Sequence, residues 1–323
     1  MRSGSKFRVD NRCNRYLCTM ANAKPVRIKT ISEFHRLRGL PEPEHPLISV
    51  VKVEDFSYPE ETRNMITIMD FYSVSLKRNC GKMRYGQQKY DFDGGVMYFI
   101  APNQVFGVEH DPSEPQQTGW MLLIHPDFLW NTSLAKAINR YEYFGYAVNE
   151  ALWLSEKEEA IIIGIMQNIQ QEYHSNIDKF SKQIIISQTE SLLNYSERFY
   201  NRQFITREKS NHQVLERLET ALTDYFNDDD LISKGLPTVG YVAQSLHVSP
   251  NYLSSLLKAL TGQNTQQHIH GKLIEKAKEK LSTTDLSVSE IAYGLGFEHL
   301  QSFSKLFKSK TNLSPLEFRQ SFN

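Results

Sequence analysis

Val242-Ala243 … Leu246-x-Val248 … Leu253-x-x-Leu256-Leu257-Lys258 returns later in the chain as Ile291-Ala292 … Leu295-x-Phe297 … Phe303-x-x-Leu306-Phe307-Lys308. The first four positions map onto their counterparts at a constant offset of 49, and one inserted residue moves the remaining four to an offset of 50. Each copy reads as a short helix, a tight turn and a second helix, with apolar residues at the spacing of a helical core face. That unit is the one that sets a helix into a DNA major groove, and two of them let a single chain read two groove segments. The duplication predicts an all-α C-terminal domain whose partner is double-stranded DNA.

Outward-facing residues of the second helix in each copy are the candidate readers. The first reading helix opens at Ser249-Pro250, where a serine caps free N–H groups and a proline at the first helical position lacks an N–H that would need a partner. With Leu253, Leu256 and Leu257 on the core face, Asn251, Tyr252, Ser254, Ser255 and Lys258 are left pointing outward. In the second copy Phe303, Leu306 and Phe307 face inward, and His299, Leu300, Gln301, Ser304, Lys305 and Lys308 form the outward set. Gln and Asn pair bidentately with adenine, Lys reaches guanine or phosphate, and Leu touches a thymine methyl. Between the copies, 267–281 reads as one linking helix, with Ile269, Leu273, Ala277 and Leu281 as its buried stripe. From Leu231 onward there are ten Lys/Arg and six Asp/Glu, a surplus of four (10 − 6), although the whole chain balances 37 against 37. A modest local surplus suits phosphate contacts.

At 323 residues the chain has room for a second domain ahead of the reader. Ile48–Val53, Ile66–Val74, Val96–Ile100 and Trp120–Ile124 are rich in β-branched and aromatic residues and are punctuated by glycine and proline turns, which predicts a sandwich or barrel. After His125 the pattern turns helical. Ser155-x-x-Glu158 reads as a capping box ahead of Ile162, Ile165, Ile169 and Tyr173, and a second helix follows over 178–200. On that helix Ile185, Gln188, Leu192, Tyr195 and Phe199 fall at alternating steps of three and four, the seam of a short coiled coil or of an ordinary helix packed on its own domain. The first alternative makes the protein a homodimer. The polar stretch 205–212 is expected to be a linker. Residues 1–22 are basic and polar without an apolar core, which reads as a disordered tail or an extension upstream of a start at Met20.

Cys13, Cys18 and Cys80 make neither a disulfide framework nor a four-ligand zinc site, which points to a reducing cytoplasm. No apolar run reaches the length of a membrane span, so no membrane partner is expected.

The second copy is the most specific part of the chain. Ser289-Glu290-Ile291-Ala292 … Gly294-Leu295-Gly296-Phe297-Glu298 … Ser302-Phe303-Ser304-Lys305-Leu306-Phe307-Lys308 … Leu313-Ser314-Pro315-Leu316-Glu317-Phe318-Arg319 resembles the signature of the AraC/XylS family of bacterial transcription regulators. The resemblance covers about Leu215 to Gln320. Asn312 stands where that family usually has glycine, asparagine being the next best residue for a left-handed turn, and Lys272 stands where it usually has arginine. The resemblance implies base contacts by Asn251, Ser254 and Ser255 in the first helix and by Leu300, Gln301, Ser304 and Lys305 in the second. The short Ser254 and Ser255 stand where longer side chains often sit.

In outline only, the N-terminal half resembles the family's cupin-type sensing domain, through Gly86 … Tyr90-x-Phe92-x-Gly94, Phe99-Ile-x-Pro102 and Trp120 … His125-Pro126-x-Phe128. Gln88-Lys89-Tyr90-Asp91-Phe92 carries no histidine where metal-dependent cupins place ligands, and His110 and His125 alone do not make a site, so neither metal nor cofactor is expected. Tyr72, Tyr85, Tyr90 and Tyr98 are the candidate lining of an effector pocket.

The resulting expectation is an α+β chain with a cupin-like β-barrel over 23–150 and a helical dimerisation module over 151–204. After the linker, 213–323 forms a seven-helix domain of two helix-turn-helix units. Its function is transcription regulation, by activation on the family resemblance, with promoter DNA, RNA polymerase and a small-molecule effector as partners and with no catalytic residue. The rivals are a regulator without a ligand, a cupin-type enzyme with an appended reader, and a methyl-accepting repair protein, for which Cys80 lacks an activating context.

Overall fold

The computed structural model describes residues 25–59, 64–79, 92, 94–109, 115–175, 180–228 and 231–322. The expected tail over 1–22 therefore lies outside the described residues, as do Tyr85, Tyr90 and His110. The chain forms two compact units, and neither is contiguous in sequence. One comprises Met1–Gly81, Gly95–Ile138 and Glu159–Leu192, and the other Lys82–Gly94, Asn139–Glu158 and Leu193–Asn323.

In the first unit β1 (Val26–Ile28) leads into α1 (Ile31–Leu37). Thr30 caps α1 by accepting the Glu33 N–H at 3.1 Å, and the Glu33 carboxylate accepts the Thr30 N–H at 3.3 Å. The remaining strands are β2 (Ile48–Lys52), β3 (Asn64–Met69), β4 (Tyr72–Arg78), β5 (Val96–Ile100), β6 (Val105–Glu109) and β7 (Thr118–Ile124). β3 pairs parallel with β1 and antiparallel with β6 in a small sheet, while β2, β7, β4 and β5 follow one another in a larger antiparallel sheet. The two sheets stay separate, and among the described residues their strands do not join into one closed barrel.

The strand expected over 66–74 is in fact two. The chain bends at Asp70-Phe71 and passes from the small sheet into the larger one, with Phe71 fully buried and the Asp70 N–H reaching the Ile28 carbonyl at 3.1 Å. The break falls on Asp70, a residue disfavoured in strands, and on the buried Phe71 beside it. Ile28, Ile31, Phe34, Met69, Phe71, Ile100 and Leu123 share one core. Short α2 (Ser133–Ala137) follows the sheets, and α3 (Glu156–Tyr173) buries Ile162, Ile165, Ile169 and Tyr173 at the spacing read from the sequence.

Helix α4 (Ser181–Thr206) is longer than the expected 178–200. After it comes α5 (Glu208–Phe226), so the stretch 205–212 is helical on both sides of Arg207. Polarity predicts a linker there, but arginine, glutamate and lysine are good helix formers. Arg207 itself is buried, and the Asn211 amide donates to the Phe204 carbonyl.

In the second unit the helices continue as α6 (Leu231–Lys234), α7 (Val239–Leu246), α8 (Pro250–Thr261), α9 (Thr265–Thr283), α10 (Val288–Gly294), α11 (Leu300–Thr311) and α12 (Pro315–Gln320). Among the described residues, 213–322 thus holds eight helical stretches rather than seven, the extra one being the single turn α6. Leu253, Leu257, Phe303 and Phe307 from the two repeats share one core with Ile269, Leu273, Ala277 and Leu281, the stripe on α9. No helix among the described residues is long and apolar enough to cross a membrane.

Candidate nucleic-acid interface

Both repeats turn through equivalent left-handed residues. His247 has φ 59° and Gly296, 49 positions later, has φ 85°. A side chain at 296 would bring its Cβ to 2.8 Å from the Gly235 backbone, so glycine is required there for space as well as for dihedral. Each reading helix ends on another left-handed residue, Gly262 at φ 75° after α8 and Asn312 at φ 62° after α11. Asparagine therefore performs the C-terminal turn for which glycine is usual.

The first reading helix, α8, starts on Ser249, whose hydroxyl accepts the Tyr252 N–H at 3.2 Å. The helix before it is capped by Thr238 on the Tyr241 N–H at 3.1 Å. In the second repeat Ser287 and Glu290 form a reciprocal capping box, and Ser314 and Glu317 form another on α12. The closing arginine also has a structural task. Arg319 Nη2 donates to the Leu286 carbonyl at 2.6 Å and Nε to the Leu281 carbonyl at 3.3 Å, which fastens α12 to the end of α9. Lys272 lies one turn along α9 from Lys276, and it faces Glu275 at 3.6 Å.

On α11 Gln301, Lys305 and Lys308 are exposed, Ser304 is half-buried, and Leu300 is partly buried against the core. Three lysines, Lys305, Lys308 and Lys310, stand exposed on this helix, and Phe303 and Phe307 anchor it from behind. This face offers amide and ammonium groups to solvent and suits a groove lined by acceptors and flanked by phosphates.

The outward face of α8 is different. Asn251 and Lys258 are exposed, but Tyr252 is buried, with its ring edge-on to Tyr146 and Phe204, each at 5.3 Å between centroids. Its position explains the departure from the expected outward direction. Residue 252 lies one turn before Leu256 and beside Leu253, at the margin of the apolar stripe. Ser254 bonds the Thr265 hydroxyl at 3.0 Å. Ser255 donates to the Glu142 carboxylate. Ser249 is held by Glu150, which accepts the Ser249 N–H at 2.6 Å and its hydroxyl at 2.5 Å, while also accepting the Ala147 N–H at 2.7 Å. Glu150 is only 4% exposed, and burial raises its carboxyl pKa against the opposing effect of those hydrogen bonds. Gly145 lies against Asn251, so that a methyl there would stand 2.1 Å from Asn251 Nδ2. Sequence reasoning missed Glu142, Gly145, Tyr146 and Glu150, because nothing in their spacing ties a stretch 99 residues away to the first repeat.

Of the four candidate effector residues, Tyr85 and Tyr90 lie outside the described residues. The other two are not brought together. Tyr98 on β5 pairs with Ser75 on β4, and Tyr72 lies at the opposite parity from Ser75, so the two tyrosines point to opposite faces of the sheet. The same unit holds a cavity of about 160 Å³ lined by His45, Ile48, Phe128, Tyr173, Lys182 and Ile185 among others. His125, one of the two histidines weighed for a metal, caps the turn after β7 by accepting the Asp127 N–H at 3.2 Å. On α4, Ile185, Leu192 and Phe199 of the expected seam are buried by the chain itself, while Gln188 and Tyr195 are half-buried.

A family model described as a helix-turn-helix domain matches residues 242–321, the span of both repeats. YijO, an uncharacterised HTH-type transcriptional regulator of Escherichia coli strain K12, is 34% identical over 103 residues, 32% of this chain and 35% of its own length. The HTH-type transcriptional activator RhaS of Salmonella dublin is 23% identical over 297 residues, 88% of this chain and 96% of its own. A solved structure, the C-terminal domain of the two-component response regulator yesN from Fusobacterium nucleatum, is 29% identical, with a TM-score of 0.29. It covers 33% of this chain and 98% of that one. The chain spans about a third of YijO and 11% of YtdP of Bacillus subtilis, another HTH-type regulator that it matches.

Proposed function

We propose that the C-terminal domain of this chain, which a helix-turn-helix family model matches over residues 242–321, is of the AraC/XylS type, and that the whole protein is a sequence-specific, DNA-binding transcription regulator and not an enzyme. The observation that carries the reading is the duplicated unit itself, with the α11 face of Gln301, Lys305 and Lys308 presented to solvent. Activation is supported by the name of the Salmonella relative, which matches across most of the chain, and contact with RNA polymerase would be its route.

The two N-terminal sheets are the counterpart of a cupin-like sensing domain for a small-molecule effector. Tyr98 and the cavity at Phe128 and Lys182 are separate candidate seats for that molecule. A homodimer completes the proposal. Its contact on α4 would use Gln188 and Tyr195, since Ile185, Leu192 and Phe199 are covered within their own protomer.

The test is selection from a pool of random duplexes with the full chain. The expected result is enrichment of a recurring sequence, with discrimination lost in Gln301→Ala and Lys305→Ala. Equal retention of all duplexes by the parent chain and by both variants would refute sequence-specific reading.

A further inference from the structure

The segment from Tyr141 to Glu150 lies in the same compact unit as α8 and covers the face through which that helix would read DNA. Four contacts converge on the N-terminal half of α8, the half that enters a groove in helix-turn-helix readers. Glu142 holds Ser255, Gly145 abuts Asn251, the Tyr146 ring packs on Tyr252, and Glu150 holds Ser249. The Tyr146 hydroxyl shares Ser255. Two of the four contacts are carboxylates. Glu150 sits on the Ser249 N–H at the start of α8, where the exposed amides and the helix dipole favour an anion, the position a DNA phosphate takes at a reading helix. Glu142 accepts from Ser255 as a base-edge acceptor would.

Among the described residues the corresponding positions of α11 carry no such cover: Ser302 and Lys305 are exposed where Tyr252 is buried and Ser255 half-buried, while Asn251 is exposed as Gln301 is. The two reading helices of one duplicated device are therefore in different states.

We propose that residues 141–150 are an intramolecular competitor of DNA, an acidic segment that occupies the first reading helix, so that the chain in this state reads through α11 alone and engages both grooves only when the segment leaves. The proposal rests on the DNA-reading function. It goes beyond it in assigning a regulatory task to Glu142, Gly145, Tyr146 and Glu150. The trade is one of like for like, since the carboxylates and the phosphates satisfy the same donors, and only one of them can be in place.

Geometry supplies a direct test. A Cβ at 145 would lie 3.7 Å from the Cβ of Asn251, within the span of a disulfide. Gly145→Cys with Asn251→Cys, in a full chain whose Cys13, Cys18 and Cys80 are serine, locks the segment when oxidised and frees it when reduced. Both redox forms carry the same substitutions, so the loss of Asn251 cancels. The probe is a duplex of about 30 base pairs, long enough for two successive major grooves, enriched from random sequence by the Glu142→Gln/Glu150→Gln chain.

The oxidised chain is expected to protect one groove and the reduced chain two. Affinity should rise by about tenfold or more on reduction, the scale of a single base contact. Glu142→Gln/Glu150→Gln, which needs no disulfide, should bind tighter than the parent by a similar factor. Equal footprints and equal affinities in the two redox forms, with the disulfide verified by mass, would overturn the occlusion and leave DNA reading intact. Failure of the charge-neutral chain to enrich any duplex would overturn both.

Discussion

Lys305 is exposed one turn after Gln301 on α11, with Phe303 and Phe307 packed behind it, so its ammonium is carried on a rigid helix. Lys305→Ala is expected to cost about 1–3 kcal/mol of discrimination at one base pair if the ammonium touches a guanine edge. It should also reduce the slope of log affinity against log salt by about 0.9 if the ammonium neutralises a phosphate. Titration at several salt concentrations on matched and scrambled duplexes separates the two. Ser255→Ala makes the opposite case. Its short hydroxyl is engaged by Glu142, so the variant should bind no more weakly than the parent, and a loss larger than that of Lys305→Ala would reverse the ranking of the two helices. Arg319 fastens α12 to the end of α9. Its removal leaves the carbonyls of Leu286 and Leu281 without their guanidinium donors, and Arg319→Ala should cost about 1.5–3 kcal/mol in a urea titration.

Helix starts show how local chemistry fixes an element. α10 and α12 each begin on a serine whose partner glutamate reaches back to the cap, and in both cases the hydrogen bonds to that serine hold the carboxyl pKa below its ordinary value. For Glu290 the side-chain bond to Ser287 leads, and for Glu317 the backbone bond to Ser314. A lowered folded pKa means that the stabilisation is present above the ordinary carboxylate pKa of about 4.3 and is lost as the pH falls through the lowered value. Glu290→Gln/Glu317→Gln keeps the hydrogen-bonding shape and removes the charge. Its melting temperature should fall below the parent's at pH 7, and the gap should narrow as the pH drops below about 4. A gap that widened on acidification would contradict the assignment. The end of α11 is equally local. Asn312, at φ 62°, is legible in the sequence as a left-handed position, because glycine and asparagine enter that region most readily.

For the molecule as a whole, α4 is the element through which the proposed dimer would form. Leu192 is fully buried in the protomer, so Leu192→Asp places a carboxylate in an apolar core at a cost of several kcal/mol and should lower the melting temperature of the chain. Tyr195, half-buried with its ring tilted against Phe199 at 5.8 Å between centroids, is the better probe of self-association. Tyr195→Asp should halve the sedimenting mass with little change in melting if the proposed dimer uses this helix, and an unchanged mass would show that the seam serves only its own protomer. The periodicity of α4 is visible in the sequence, but its partner is not, since an apolar stripe records that a face is buried and not what buries it. By itself the sequence determined the two helix-turn-helix units, the Ser249 cap, the left-handed position at Asn312 and the outward lysines of α11, because each of these is set by residues within a few positions of one another. Only the tertiary structure decided that Asp70-Phe71 breaks a strand, that Tyr72 and Tyr98 point to opposite faces of one sheet, and that Glu142 and Glu150 lie on α8. Those outcomes rest on pairings between residues far apart in the chain, and they are chosen by which groups can be buried and satisfied together.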